Sequence, residues 1–162
     1  MSYKEQFDRM NRLFLKIDPP TGDHGDQLNY EDNLWYFFQT AWHLKDWILN
    51  DSSIKDFGVE KIVENYHSLR MCADLANRSK HLTLTKHIRE DAKPSGNDVT
   101  VFLTTAEIEY SDFINGKIPI GKSEKSIYTY YITDKTGTKY QAIELAKEII
   151  KDWNEIIEFN LP

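Results

Sequence analysis

DVTVFLTTAEIEY, at residues 98–110, is the stretch that decides the fold. Val99, Val101, Leu103 and Thr105 alternate with polar or less buried positions, which is the period of two that a strand imposes on its side chains. Asn115-Gly116 follows, a dipeptide suited to a tight type I′ reversal, set between Phe113-Ile114 and a second extended run ending at Ile120. SIYTYYIT, at residues 126–133, supplies a further β-rich run. The spacing predicts a small antiparallel meander over about 98–134. The chain on either side reads as helix.

Upstream, Ser2-x-x-Glu5 is a capping box, and Tyr3, Phe7, Met10, Phe14 and Ile17 follow at helical spacing. Pro19-Pro20 ends that helix. Residues 21–27, with two Gly and two Asp, read as a loop. A second helix is expected from about Asp32 to Asn50, with Leu34, Phe37, Phe38, Ala41, Trp42, Ile48 and Leu49 as its core stripe. Tyr36, His43 and Trp47 fall on roughly the opposite side, so this helix is apolar on two faces. A third helix is expected from about Val59 to His81, on Val59, Ile62, Val63, Tyr66, Leu69, Ala73 and Ala76. Downstream, Thr138-x-x-Gln141 is expected to cap a last helix over about 139–159, striped by Ile143, Ala146, Ile149, Ile150, Trp153, Ile156 and Ile157. The expected class is α+β. It is mainly an α-helical bundle of four helices, with the first three inside about 2–90 and the meander inserted before the last, forming one domain over 1–162.

The balance of 40% hydrophobic and 28% charged residues in 162 is that of a folded globular chain, and 13% aromatics can supply a substantial core. The single Cys72 excludes an internal disulfide framework and a cysteine-based zinc site. No apolar run approaches the roughly 18 residues that span a bilayer. The first residues lack the basic-then-apolar pattern of a secretion signal. The expectation is a soluble cytoplasmic protein with no membrane contact. Net charge is −6, yet residues 61–90 hold six basic against three acidic residues, a local +3 that leaves −9 for the remainder.

Gly116-Lys117-Ile118-Pro119-Ile120-Gly121-Lys122-Ser123 matches the letters of a phosphate loop. Such a loop must open a helix whose amides face the phosphates, whereas strand formers follow Ser123 here. No nucleotide is expected. Glu64-x-x-His67 is half of a di-iron bundle motif without its second copy, and His81 and His87 do not share a helix face. Neither metal nor cofactor is expected. Cys72 lies near the apolar stripe and reads as a small core residue.

The polar constellation of the third helix is more informative. Arg70, Asp74, Asn77 and His81 are spaced 4, 3 and 4 and so line one side of a helix beside its apolar stripe. Lys80 projects toward the core side, and Arg78 borders Asp74 and His81. Charges in that zone must be paired. They form either a structural network, with Asp74 bonded to Arg70 or Arg78 and Asn77 tying a loop, or a cleft.

Cys72-x-Asp74-Leu75-Ala76-Asn77-x-x-Lys80-His81, after Ala41-Trp42-x-x-x-Asp46-Trp47, joins Gly137-x-x-Tyr140-x-Ala142-x-x-Leu145-Ala146 with Trp153. This layout resembles a group of small bacterial and phage-type proteins that carries no assigned activity. More distantly it resembles HEPN domains, the helical modules of toxins and defence systems, many of which are dimeric, metal-independent ribonucleases. Their signature is Arg, four to six residues, then His. Arg78-x-x-His81 has two intervening residues, and the β insert is a further departure.

That second resemblance implies RNA cleavage in which His81 is general acid or base and Arg78 holds the phosphate. Asn77 would orient the phosphate or the ring, Lys80 would add charge, and Asp74 would fix His81 or Arg78. The competing expectation is an interaction protein of a defence, toxin–antitoxin or phage-related system. It would form a homo-oligomer or hold a protein partner through Tyr36, His43 and Trp47, with Arg70 and Lys80 as further binding residues. An incomplete catalytic signature and a two-sided aromatic helix favour this second expectation.

Overall fold

The computed structural model describes residues 2–23, 26–80, 88–95, 100–113 and 116–161, with the backbone alone at 23 and for the described positions of 100–126. It is α+β, mainly helical, with two small antiparallel sheets.

Helix α1, Tyr3–Ile17, opens on the expected capping box: Lys4 N–H donates to Ser2 Oγ at 3.3 Å, and Ser2 N–H to Glu5 Oε1 at 3.1 Å. Its buried Tyr3, Met10 and Ile17 pack on α2, Gln27–Asn50. Gln6 is also buried; its Nε2 donates to the Thr40 carbonyl at 2.9 Å and locks the two helices together. The Asp51 carboxylate accepts the Tyr3 amide at 2.9 Å, tying the start of α1 to the end of α2. Bonds from Ser53 and from that amide hold this carboxyl well below the usual range against the effect of burial.

Helix α2 begins five residues before the expected Asp32. A tertiary contact overrides the polar sequence there: Tyr30 is buried, donates its hydroxyl to the Ile17 carbonyl at 3.2 Å, and packs on the rings of Tyr128 and Tyr130 at 5.2 and 5.6 Å. Leu49, expected in the core stripe, is exposed, and Leu44 is buried instead.

The third predicted helix is two. Helix α3, Val59–Val63, stops, and α4, His67–Arg78, starts after an extended Tyr66. The interruption frees the Glu64 carbonyl, and Arg70 Nη1 donates to it at 2.7 Å. The Glu64-x-x-His67 spacing therefore straddles a break rather than one helix face. His81 lies outside the described residues.

Residues 21–27 are not wholly a loop. Thr21–Asp23 forms β1 and pairs with the strand Gly116–Thr129, here β4. Gly22 is required there, because a Cβ would meet the Tyr128 ring at 2.9 Å. Lys93–Pro94 is β2. Thr100–Phe113 is β3, which pairs antiparallel with β4 from Thr100↔Thr129 to Phe113↔Gly116. Gly116, expected in the Asn115-Gly116 reversal, is thus a strand residue paired with Phe113, and Asn115 lies outside the described residues. Residues 116–123 are strand throughout, which is not the loop-into-helix form that a phosphate loop needs.

A second sheet has the order β2-β5-β6, with β5 at Tyr131–Thr133 and β6 at Lys139–Gln141. Helix α5, Ala142–Asn160, consequently starts later than expected, and Gln141 makes no side-chain cap. Thr138 instead donates its amide to Asp134 Oδ1 at 3.0 Å in the β5–β6 turn. Ile143, Ala146, Ile149, Trp153 and Ile156 carry the buried stripe of α5. Among the described residues no helix is long and apolar enough to cross a membrane.

Candidate functional site

The polar stripe of α4 meets residues 88–92. Asp74 is 0% exposed, because seven of its neighbours in α4 carry the buried face of that helix around it. Its carboxylate accepts the backbone amides of Glu90 at 2.7 Å, Arg89 at 3.1 Å and Ala92 at 3.4 Å. The expected partners Arg70 and Arg78 are not the ones it holds. They flank it and grip the same segment. Arg78 Nε donates to the Ala92 carbonyl at 2.8 Å and Arg78 Nη2 to Asp91, a residue at φ 50°. Arg70 Nε donates to Glu90 Oε1 at 2.7 Å.

Glu90 is buried, which pushes its carboxyl up, but bonds from Arg70 and then Lys135 outweigh this and hold it below the ordinary value. His67 Nδ1 stands 3.7 Å from the same carboxylate. The loop-tying role that sequence reasoning gave to Asn77 belongs to Asp74.

Asn77 is half-buried on the wall of a separate cleft with Trp42, Lys45, Glu60, Glu64 and Arg89. Lys45 and Arg89 lie over the Trp42 ring at 5.1 and 4.9 Å, and acids answer both: Arg89 pairs with Glu64 at 2.7 Å, and Lys45 with Asp46 and Glu60. Cys72 is buried with its thiol donating to the Phe38 carbonyl at 3.3 Å; burial pushes the thiol up, so it stays protonated. Among the described residues no group of His, Cys, Asp and Glu is placed to hold a metal.

The aromatic face of α2 lies elsewhere. Tyr36, His43 and Trp47 align along one side of the helix. Lys80 Nζ is 3.4 Å from His43 Nε2. Burial and then Lys80 hold the imidazole below its ordinary value, with Asp46 pulling the other way, so His43 is neutral at pH 7 and can accept from the ammonium.

Toward α1, Tyr36 is 55% exposed and lines a groove with Arg9, Arg12, Leu13, Lys16 and Thr40. The groove measures about 430 Å³. Arg9 lies over the Trp47 ring at 5.6 Å and donates to Gln6 Oε1. Among the described residues Arg12 and Lys16 make no ion pair, although Asp8 precedes Arg12 by one turn. Sequence reasoning missed this row. Its signal was the 3 and 4 spacing of three cations along one side of a helix whose other side is apolar.

The structure therefore brings Asp74, Arg78 and Arg70 together around residues 88–92. It sets Asn77 in the Trp42 cleft, Lys80 against His43, and Tyr36 and Trp47 beside α1. No protein-family model matches the chain, and neither a curated protein nor a solved structure matches it.

Proposed function

We propose that the chain is a cytoplasmic interaction protein of the defence, toxin–antitoxin or phage-related kind, which acts by holding a protein partner or a second copy. The observation that carries this reading is the α2 stripe of exposed Tyr36 and half-buried His43 and Trp47, flanked by Arg9, Arg12 and Lys16 on one side and Lys80 on the other. Amphipathic aromatics with adjacent arginines are what binding hot spots use, since they bury area at low conformational cost.

The ribonuclease alternative draws less support. Arg78 is bonded through both Nε and Nη2, so it is not free to receive a phosphate without dismantling the segment at 88–92, and Asp74 is spent on three amides of that segment rather than on Arg78. The test is sedimentation at micromolar concentration, with Tyr36→Ala/Trp47→Ala beside the parent. Loss of assembly at an unchanged circular dichroism spectrum is expected. Chelator-resistant RNA cleavage by the parent, abolished in His81→Ala, would favour the alternative instead.

A further inference from the structure

Within the cation row on α1, Arg9 is bonded to Gln6 and lies over Trp47, whereas Arg12 and Lys16 make no ion pair among the described residues. Arg9, Arg12 and Lys16 span eight residues of α1, about 10 Å along the axis. Like charges at these spacings repel, which costs the free helix a little. Arg12 and Lys16 are exposed, and among the described residues no acid answers them. Between the row and α2 lie Leu13 and the Tyr36 ring, so the groove offers an apolar floor beneath a positive rim.

We infer that this groove receives an acidic, amphipathic helix of a partner protein, laid along α1. This rests on the reading of the α2 face as a binding surface and names the chemistry of its partner. A helix in the groove would set apolar residues on Leu13 and Tyr36 and carboxylates at i, i+3 and i+7 opposite the three cations.

Nucleic acid fits less well. Glu5 and Asp8 precede the row on α1, so a polyanion running past its N-terminal end meets like charge, on a chain of net charge −6. A second copy fits less well too. The exposed face of α5 interleaves Lys147 and Lys151 with Glu144, Glu148 and Glu158, and Glu144 is already paired with Lys147.

The experiment uses the full chain and its Arg12→Glu/Lys16→Glu variant, whose exposed, unpaired positions leave folding unaffected; circular dichroism checks this. Three probes are titrated by fluorescence anisotropy: a synthetic helical peptide with Glu at i, i+3 and i+7 beside a Leu stripe, its Lys-for-Glu counterpart, and oligouridylate. The parent is expected to bind the acidic peptide saturably and the Lys peptide not at all. The variant should bind the acidic peptide about tenfold more weakly or worse and gain affinity for the Lys peptide.

Absent or charge-indifferent peptide binding overturns the inference. So does oligouridylate binding that the reversal abolishes, which would put nucleic acid in the groove. Self-association abolished by the same reversal would put a second copy there. If Tyr36→Ala/Trp47→Ala dissolves an assembly that the reversal leaves intact, the binding reading stands and the acidic-helix inference alone fails.

Discussion

Two basic regions of this molecule use the same residue types for opposite ends. Around α4, Arg70, Arg78, Arg89 and Lys135 each meet a carboxylate or a carbonyl, and their product is a fixed position for residues 88–92. Along α1, Arg12 and Lys16 meet no acid among the described residues, and their product is a charged, half-apolar groove. A buried charge is costly unless paired, so pairing marks architecture. An exposed, unpaired row is cheap to keep and stays available to a ligand.

The sharpest way to break that comparison is Asp74→Ala. Three backbone amides lose their acceptor in a site with no exposure, and a cost of about 3 kcal/mol or more is expected in equilibrium denaturation. Asp74→Asn keeps one acceptor oxygen and should cost less. A loss under about 1 kcal/mol would mean that the segment at 88–92 is held by something other than this carboxylate.

Arg78→Gln comes next, at about 2 kcal/mol, since it strands the Ala92 carbonyl and leaves the Asp91 carboxylate to Lys93 and solvent. The same variant should leave partner binding unchanged once folded protein is compared. Lost binding at full stability would move Arg78 from the scaffold to the site.

This contrast shows what the sequence could and could not reveal. The 3.6 and 2.0 periodicities of the chain made the α+β order legible, as did the capping box at Ser2 and the buried stripe of α5. The helix break at Glu64–Tyr66 was hidden because Val59 to Ala76 keeps helical apolar spacing across it. Asp74, Arg70 and Arg78 were visible as charges beside a core stripe. Their partners were not, since Glu90, Asp91 and Ala92 come from a distant segment with no pattern of its own. The α1 row escaped notice for a different reason: basic residues on a solvent face are ordinary until the structure shows Tyr36 and Leu13 walling a groove beneath them.

The acid range sharpens the comparison at a third place. Asp134 is held down to about 2, first by the Thr136 hydroxyl, against burial, and then by the amides of Thr136 and Thr138. A depressed folded value means that the stabilisation is present above the unfolded carboxyl range near pH 4 and is lost as pH falls through the folded value. Melting temperature should therefore fall between about pH 4 and pH 2, and Asp134→Asn should flatten that fall while lowering the plateau at pH 6. An equally steep acid limb in the variant would place the acid sensitivity elsewhere.

The smallest effect is the most telling for the groove. Arg12→Gln/Lys16→Gln removes two cations that make no ion pair among the described residues. Relief of their mutual repulsion opposes the loss of the attraction of Asp8 for Arg12 and of Lys16 for the C-terminal dipole of α1, each a few tenths of a kcal/mol. The net change in unfolding free energy should lie within about 0.5 kcal/mol of zero, against the roughly fourfold larger cost of the single change at Arg78. Salt supplies the control. Raising ionic strength screens exposed charges and should narrow even that small difference, while the part-buried bonds of Arg78 are screened less. A loss above about 1 kcal/mol at α1 would make its cations part of the scaffold, and the two regions would then differ only in how many partners each cation has.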